Sequence, residues 1–463
     1  MTVRPLRRRA YGLHRDGRYV ASGGPQHADT LAGPGPEVRG ISVRVGGTLR
    51  IAIINLFYPP DLAPTAHMAA GLAEHRSALG DRVTVVAGTG AYLGGSEHPR
   101  AGGPDGEGPR VIRLWTPGLG KASTARRIGD YVTFLIGAVT RLAFLPRQDV
   151  VIALTSPPFV LVAAVAHRLL HPRTRVILWS HDVYPDAAET FGTIRPEGTV
   201  SRALRALNRR LLRHVDHVVA MDRAMLERIV SSLPADPRPP VSVIPTWEPV
   251  LLFPKDGRPE RWVGYADPDL AGRFVVLHLG NLGFGHRTDT IADAAAALAD
   301  EDVTFLFVGG GERYPELADE AARRRIDNVR FRGYVPKEQT PAVLAGAGCA
   351  LISLDDRSIG IQSPCKMNGS LAMGVPVLYA GPTGTNVDDA ITEYACGFSL
   401  RQGDVAGLVD AIRRLRSHPG LAAALSKNAR RAFDETYSDR SALPRFDSLL
   451  EDLTGSGSRP PAG

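Results

Sequence analysis

The chain has 463 residues, 44% hydrophobic and 22% charged, with a formal charge of +7. That length supports two ordinary domains with their own cores, and the three cysteines, Cys349, Cys365 and Cys396, exclude both a disulfide framework and a zinc pattern, which points to a reducing, cytoplasmic interior. The excess of Arg over Lys fits an anionic partner, a nucleotide or a lipid-diphosphate surface, and fits a GC-rich coding sequence equally well; nucleic acid is disfavoured, because the basic residues are not interleaved with aromatics as a stacking surface requires.

Residues 1–48 hold Arg7, Arg8 and Arg9 among scattered Gly and Pro, without an apolar run of signal-peptide or membrane-span length, and read as a disordered basic leader. Ordered structure is expected from Leu49, where Leu-Arg-Ile-Ala-Ile-Ile-Asn is a buried strand feeding the turn-prone Tyr58-Pro59-Pro60-Asp61. A helix over Thr65–Leu79 ends near Gly80, and a strand covers Arg82–Ala87. Further strands are expected at Val111–Leu114, Val150–Leu154, Val176–Trp179 and His217–Ala220, with helices near Arg127–Leu145, Phe159–Leu170 and Val200–His214. Apolar, non-alternating strands that alternate with helices imply a parallel sheet covered on both faces. Tyr131–Leu145 is too short and interrupted to span a bilayer; with Arg126, Arg127, Arg141 and Arg147 around it, it suits either core packing or a peripheral membrane contact.

A Pro, Asp and Gly-rich passage over 251–272 reads as a linker. The pattern then restarts with strand Phe274–Leu279, helix Asp289–Ala299, strand Thr304–Val308, helix Glu316–Arg325 and strand Val329–Phe331. We therefore expect an α/β chain of two doubly wound domains, 49–250 and 273–437, facing across a cleft lined by the carboxyl ends of both sheets, with a mobile tail over 454–463.

The informative residues cluster at those strand ends. Gly280, Asn281, Gly283 and Arg287 open the second domain's first helix, where glycines admit backbone N–H groups to a diphosphate and Arg287 adds charge; Gly309 and Tyr334–Val335 follow the next strands. Gly360–Ala380 reads as a polar loop, a short helix and a Gly turn into a buried strand, with Lys366 as the phosphate contact. On the first domain, His181 with Asp182 follows strand Val176–Trp179 and can orient an acceptor hydroxyl, or form a structural turn pair. Tyr58, Asp61 and Thr65 lie on the loop over the expected acceptor side. No Asp-X-Asp metal site is evident, and Asp355-Asp356 reads as a solvated loop pair.

These motifs resemble the retaining GT-B glycosyltransferases of the large family 4 type, over nearly everything from Leu49 to Ser438. Phe57-Tyr58-Pro59-Pro60-Asp61 with Ala73-Glu74-His75 is similar to that family's acceptor-side opening. Thr155-Ser156-Pro157-Pro158 and Trp179-Ser180-His181-Asp182-Val183-Tyr184-Pro185-Asp186 resemble the subgroup acting on lipid-linked sugars in envelope polysaccharide assembly. Val243-Ile244-Pro245-Thr246-Trp247 resembles its hinge, Asn328 to Pro336 its base-binding segment, and Asn428 to Phe433 with Tyr437-Ser438 its terminal helix crossing back to the first domain. The resemblance implies a hexosyl or N-acetylhexosaminyl transferase using a nucleotide sugar, UDP-linked, as co-substrate and no metal cofactor. The acceptor would be a lipid-linked saccharide or a small natural product, met at the inner face of the plasma membrane in the lipid-linked case. It further implies that the donor phosphate takes the acceptor proton, so that retention needs no enzyme nucleophile.

One departure stands out. The family commonly places two glutamates eight positions apart before the Ala-Met-Gly-Val-Pro turn, the first gripping donor sugar hydroxyls; Ile361 and Gly369 occupy those places here. Sugar recognition would then rest on backbone amides and on Gln362, Ser363 and Asn368. Two other classes stay open on sequence: a non-hydrolysing UDP-sugar epimerase, which would need cleft carboxylates for acid/base work, and a catalytically silent nucleotide-binding relative.

Overall fold

The structure, a computed structural model, describes residues 48–61, 63–89, 108–118, 124–234, 236–253 and 259–455. The expected leader, apart from Thr48, and the tail beyond Gly455 lie outside the described residues. In the first domain β1 (Arg50–Ile54), α1 (Pro64–Ala78), β2 (Arg82–Gly88), β3 (Arg110–Leu114), α2 (Thr124–Ala143), β4 (Val150–Leu154), α3 (Leu161–Leu170), β5 (Arg175–Trp179), α4 (Asp186–Thr190), α5 (Thr199–Leu212), β6 (His217–Ala220), α6 (Arg223–Ser232) and β7 (Val241–Val243) follow one another. They build a seven-stranded sheet of order β3-β2-β1-β4-β5-β6-β7 in which every neighbouring pair is parallel.

The second domain runs β8 (Phe274–Asn281), α7 (Asp289–Ala297), β9 (Val303–Gly310), α8 (Tyr314–Arg324), β10 (Val329–Arg332), α9 (Thr340–Ala345), β11 (Cys349–Ser353), α10 (Lys366–Ala372), β12 (Val377–Ala380), α11 (Asn386–Tyr394), β13 (Gly397–Leu400), α12 (Val405–Ser417) and α13 (Pro419–Ala432). Its six strands are also all parallel, in the order β10-β9-β8-β11-β12-β13. The central strands β4, β11 and β12 are buried throughout, because helices cover both faces of each sheet and no residue of these strands reaches water. In each sheet the strand order reverses once, between β1 and β4 and between β8 and β11, which opens a crevice at the carboxyl ends of those strands.

Two sequence expectations change. The described part of the passage, 251–253 and 259–272, is not a free linker: Phe253 and Leu270 are buried in the second core, Tyr265 Oη donates to the Val343 carbonyl at 2.6 Å, and Arg332 pairs with Asp267 at 2.8 Å. Tyr265, Asp267 and Asp269 anchor this wrapped segment to the rest of the domain. The terminal helix over 428–433 likewise stays on the second domain, where Ala429, Ala432 and Phe433 are core residues.

The crossing is made by the π-turn Phe433–Tyr437 and the helix after it, α14 (Asp439–Thr454). Alongside runs the outgoing strand: the Glu248 N–H donates to the Tyr437 carbonyl at 3.1 Å and the Asp439 N–H to the Glu248 carbonyl at 3.1 Å. Helix α14 buries Leu443, Phe446 and Leu450 against the first sheet, where Phe446 closes an aromatic group with Trp179 and Trp247 at ring separations of 4.6 and 6.0 Å. Its Asp447 accepts from Arg76 Nη1 at 2.7 Å and meets His75 Nε2 at 2.9 Å. Arg76 is fully buried and also pairs with Asp81, so its charge is shared between two carboxylates.

Burial pushes the Asp447 carboxyl upward, but hydrogen bonds from His75 and Arg76 outweigh it and hold the group below the usual carboxylate range. A depressed carboxylate stabilises the fold above its unfolded pKa, and that contribution is lost as pH falls through the folded value. Replacing Asp447 by Asn is expected to cost about 1–3 kcal/mol at neutral pH in urea unfolding, with the gap to wild type closing below about pH 4; a gap constant with pH would refute the ion pair.

Candidate active site

The crevice at the ends of β8 and β11 holds residues expected on the donor side. Gly280 has φ +118°, and a Cβ built there would lie 3.3 Å from Lys366 Cε; the missing side chain lets the lysine stem cross the strand end. Gly309, paired with Gly280 across β8 and β9, has φ +141°, and a Cβ on it would collide with the Gly280 carbonyl. The two strand ends approach closely enough for their backbones to form one floor.

Lys366 Nζ lies over that floor and donates to His286 Nε2 at 2.7 Å. His286 Nδ1 faces the Ser353 carbonyl, which can only accept, so Nδ1 carries the proton and Nε2 offers a lone pair. Burial, then the neighbouring ammonium, push the His286 pKa down to about 3, keeping the ring neutral. Burial likewise pushes Lys366 down to about 8, against the opposing influence of Cys365. The Cys365 thiol itself is pushed up by burial, which matches a packing residue rather than a nucleophile.

The expected diphosphate contact from Arg287 is not what the fold presents. Its guanidinium turns outward to Asp289, and both side chains are exposed. At this loop the contact with Lys366 is made one residue back, by His286. Asn281 meets the Tyr334 hydroxyl at 3.3 Å; the Tyr334 ring covers Gly310, and the open side of Gly283 faces Asn281 and Glu312. Val335 packs partly into the second core. The Ser363 hydroxyl faces the Asp222 carboxylate of the first domain, and Asn368 Nδ2 reaches across the hinge to Thr246 Oγ1 at 3.0 Å, so Asn368 ties the domains together as well as flanking the lysine. Asp355, expected as solvated, is buried and paired with Arg357 at 2.7 Å.

Across the cleft, Thr155 Oγ1 accepts from the backbone N–H groups of His181 and Asp182 at 2.9 and 3.0 Å, which fixes the loop leaving β5. His181 is buried against Trp179, with ring centroids 5.0 Å apart, and its Nε2 has no hydrogen-bond partner within the protein. Burial pushes its pKa down to about 3, which keeps the imidazole neutral. Burial raises Asp182 to about 6 although Gln362, from the second domain, hydrogen-bonds to it. The second aspartate of this motif, Asp186, is structural: Arg205 and Arg228 pair with it at 3.1 and 2.8 Å and pin α5 and α6 together.

Tyr58, Asp61 and Thr65 are all buried in the first domain. Arg113 is the reason: its guanidinium donates to the carbonyls of Tyr58 and Gly88, both at 3.2 Å, and of Pro59, drawing the polar loop onto the sheet. Sequence reasoning missed two residues at the boundary between the domains, Asp222 and Asn386. Asp222 caps α6 by accepting from the Met225 N–H at 2.7 Å, faces Ser363, and stands next to Arg223, which pairs with Asp389 of the second domain at 2.9 Å. Asn386, at the start of α11, donates to the Pro364 carbonyl at 2.8 Å and braces the lysine loop. Nothing local in the sequence marks Asp222 beyond its fitness as a helix cap.

Comparison with known proteins fits this geometry. Residues 65–247 match the Glycosyl transferase 4-like domain and residues 273–418 the Glycosyl transferases group 1 domain. The chain is 25% identical over 313 residues to a probable glycosyltransferase, WbjE, of Pseudomonas aeruginosa, covering 66% of this chain and 75% of the relative. It is 25% identical over 187 residues to WcaI, a putative colanic acid biosynthesis glycosyl transferase of Escherichia coli strain K12, covering 38% and 43%. Among solved structures, Anabaena Alr3699/HepE in complex with UDP and glucose shares the fold at a TM-score of 0.64 and 16% identity, over 87% of this chain and all of the other. A family 4-like domain followed by a group 1 domain, each on its own Rossmann-like sheet, makes this chain a GT-B glycosyltransferase.

Proposed function

We propose that the enzyme transfers a hexose or N-acetylhexosamine, with retention, from a UDP-linked sugar to a lipid-linked saccharide. The observation that carries the donor side is the Lys366 ammonium laid across Gly280 at the reversal point of the second sheet, where a diphosphate leaving group gains charge as the glycosidic bond breaks. UDP in the Anabaena neighbour supports the choice of nucleotide, and the colanic acid relative supports an envelope saccharide over a natural product. In this reading the bond from the sugar's anomeric carbon to the phosphate oxygen breaks and a bond to the acceptor oxygen forms on the same face. The acceptor proton passes to the departing phosphate oxygen, and neutral His181 positions a hydroxyl at the reacting centre.

No helix among the described residues is long and apolar enough to cross a membrane. The lipid-linked acceptor would be met at a surface instead. Ile128, Val132 and Ile136 repeat every fourth residue along α2 and are exposed, with Ile136 at 64%; Phe144 just beyond the helix is 80% exposed and Trp115 after β3 71%. Arg126 and Arg147 border this stripe, a combination that suits peripheral contact with an anionic leaflet.

Incubation with a panel of nucleotide sugars, with and without lipid-linked or small acceptors, followed by mass spectrometry, should release UDP only when donor and acceptor are both present. Interconversion of two UDP-sugars would favour an epimerase, and binding without turnover a silent relative. Lys366→Ala should lower kcat/KM for the donor by about 100-fold or more with little change in melting temperature; unaltered turnover would remove its phosphate role. The double variant Ile136→Asp, Phe144→Asp should lose most co-sedimentation with phosphatidylglycerol vesicles while turning over a water-soluble acceptor normally; wild-type co-sedimentation would dismiss the surface.

A further inference from the structure

We infer that His286 is a positioning residue for the donor diphosphate: its neutral Nε2 fixes the Lys366 ammonium at the floor of the cleft. The inference rests on the donor site proposed above and adds the device that holds the lysine in place.

The hold runs back through the domain. Gln402, after β13, donates from Nε2 to the carbonyls of Ala380 and Leu354 at 2.7 and 2.9 Å and to Ser353 Oγ at 3.2 Å, tying together the ends of β11 and β12. Ser353 Oγ in turn accepts from the Arg287 N–H at 3.1 Å and donates to the Arg287 carbonyl at 2.5 Å. Its own carbonyl takes the His286 Nδ1 proton, and the His286 N–H donates to the Gly283 carbonyl at 3.1 Å. Backbone and ring of His286 are both anchored, so the Nε2 lone pair has one direction, toward Lys366.

The chemistry of the acceptor matters as much as its position. Lys366 has no carboxylate partner among the described residues. A carboxylate would fix the ammonium but cancel its charge; a neutral imidazole fixes it and leaves the charge available. One N–H stays on His286 and two remain for phosphate oxygens. Around the pair, His278 stands 5.9 Å from the His286 ring and turns Nδ1 to the Leu351 carbonyl at 3.1 Å, kept neutral by burial. Cys365 neighbours Lys366 and is kept a thiol by burial. Of the nearby acids, Asp289 faces Arg287, while Asp355 is paired with Arg357 and, with Asp356, also acts on Arg287.

Removing the Nε2 lone pair withdraws support from the charged form of a part-buried amine. The Lys366 pKa, already pushed down to about 8, should fall further. The alkaline limb of kcat/KM for the donor, which reports the free enzyme, should then move to lower pH.

The test compares wild type with His286→Leu, His286→Gln, Lys366→Ala and the double variant His286→Leu, Lys366→Ala. Readouts are kcat and KM for the donor from pH 6 to 10, UDP binding by calorimetry, and melting temperature. His286→Leu should lose roughly 10–100-fold in kcat/KM, with the alkaline limb about one pH unit lower and UDP binding weakened. Gln, which can donate to the Ser353 carbonyl and accept from Lys366, should return the limb and most of the rate. The double variant should be no worse than Lys366→Ala alone. An unmoved limb, or losses that add in the double variant, would overturn the inference and leave His286 a packing residue. Wild-type turnover by Lys366→Ala would overturn the donor reading beneath it.

Discussion

The two domains are joined twice, by strands that hydrogen-bond to each other where they cross. Glu248 on the way out and Tyr437 to Asp439 on the way back form a short parallel bridge, and α14 then locks onto the first sheet through Phe446 and the pair of Arg76 with Asp447. A single covalent linker would let the second domain swivel in any direction. Two linked crossings confine relative motion to bending about one line, with Asn368 to Thr246 and Lys337 to Glu248 lying beside that line. Everything on the cleft walls inherits its register from this constraint.

Between the walls the polar groups are poorly satisfied by the protein itself. His181 Nε2 and Asn386 Oδ1, one from each domain, are buried without hydrogen-bond partners, whereas Asp222 and Ser363 meet each other across the boundary. A folded chain seldom leaves a buried polar atom unmatched, because each costs free energy that packing must offset. They differ from the charged pairs at the rim, such as Arg223 with Asp389, which are matched and mechanical. Unmatched polar atoms are the ones that distinguish a polar ligand from water-free packing.

Much of the fold was legible because its signals are local. β4 and β12 are short apolar runs without alternation, as expected of a sheet covered on both faces, and Gly280 and Gly309 mark strand ends where backbones must approach. Lys366 was legible as the single lysine in a polar loop. The direction of a side chain was not. Arg287 and His286 are adjacent and both basic in character, yet Asp289 takes one and the Ser353 carbonyl takes the other; that choice is made by β11, far along the chain. The burial of Tyr58 and Asp61 was illegible for the same reason: polarity in a loop says nothing of Arg113, fifty residues on, which pulls that loop down.

The absence of glutamate at Ile361 and Gly369 is built into the packing. Ile361 is fully buried, and a Cβ on Gly369 would lie 3.4 Å from Leu344 and 3.5 Å from Phe253, so neither position faces open space. A carboxylate can accept from two adjacent hydroxyls at once and thereby reads their relative configuration. A side-chain amide offers a donor edge and an acceptor edge, so it reads a hydroxyl pair by its donor and acceptor pattern instead. For a donor bound as proposed, the choice of sugar would then depend on which way Gln362 and Asn368 are held, and the residues that orient those amides become part of the specificity.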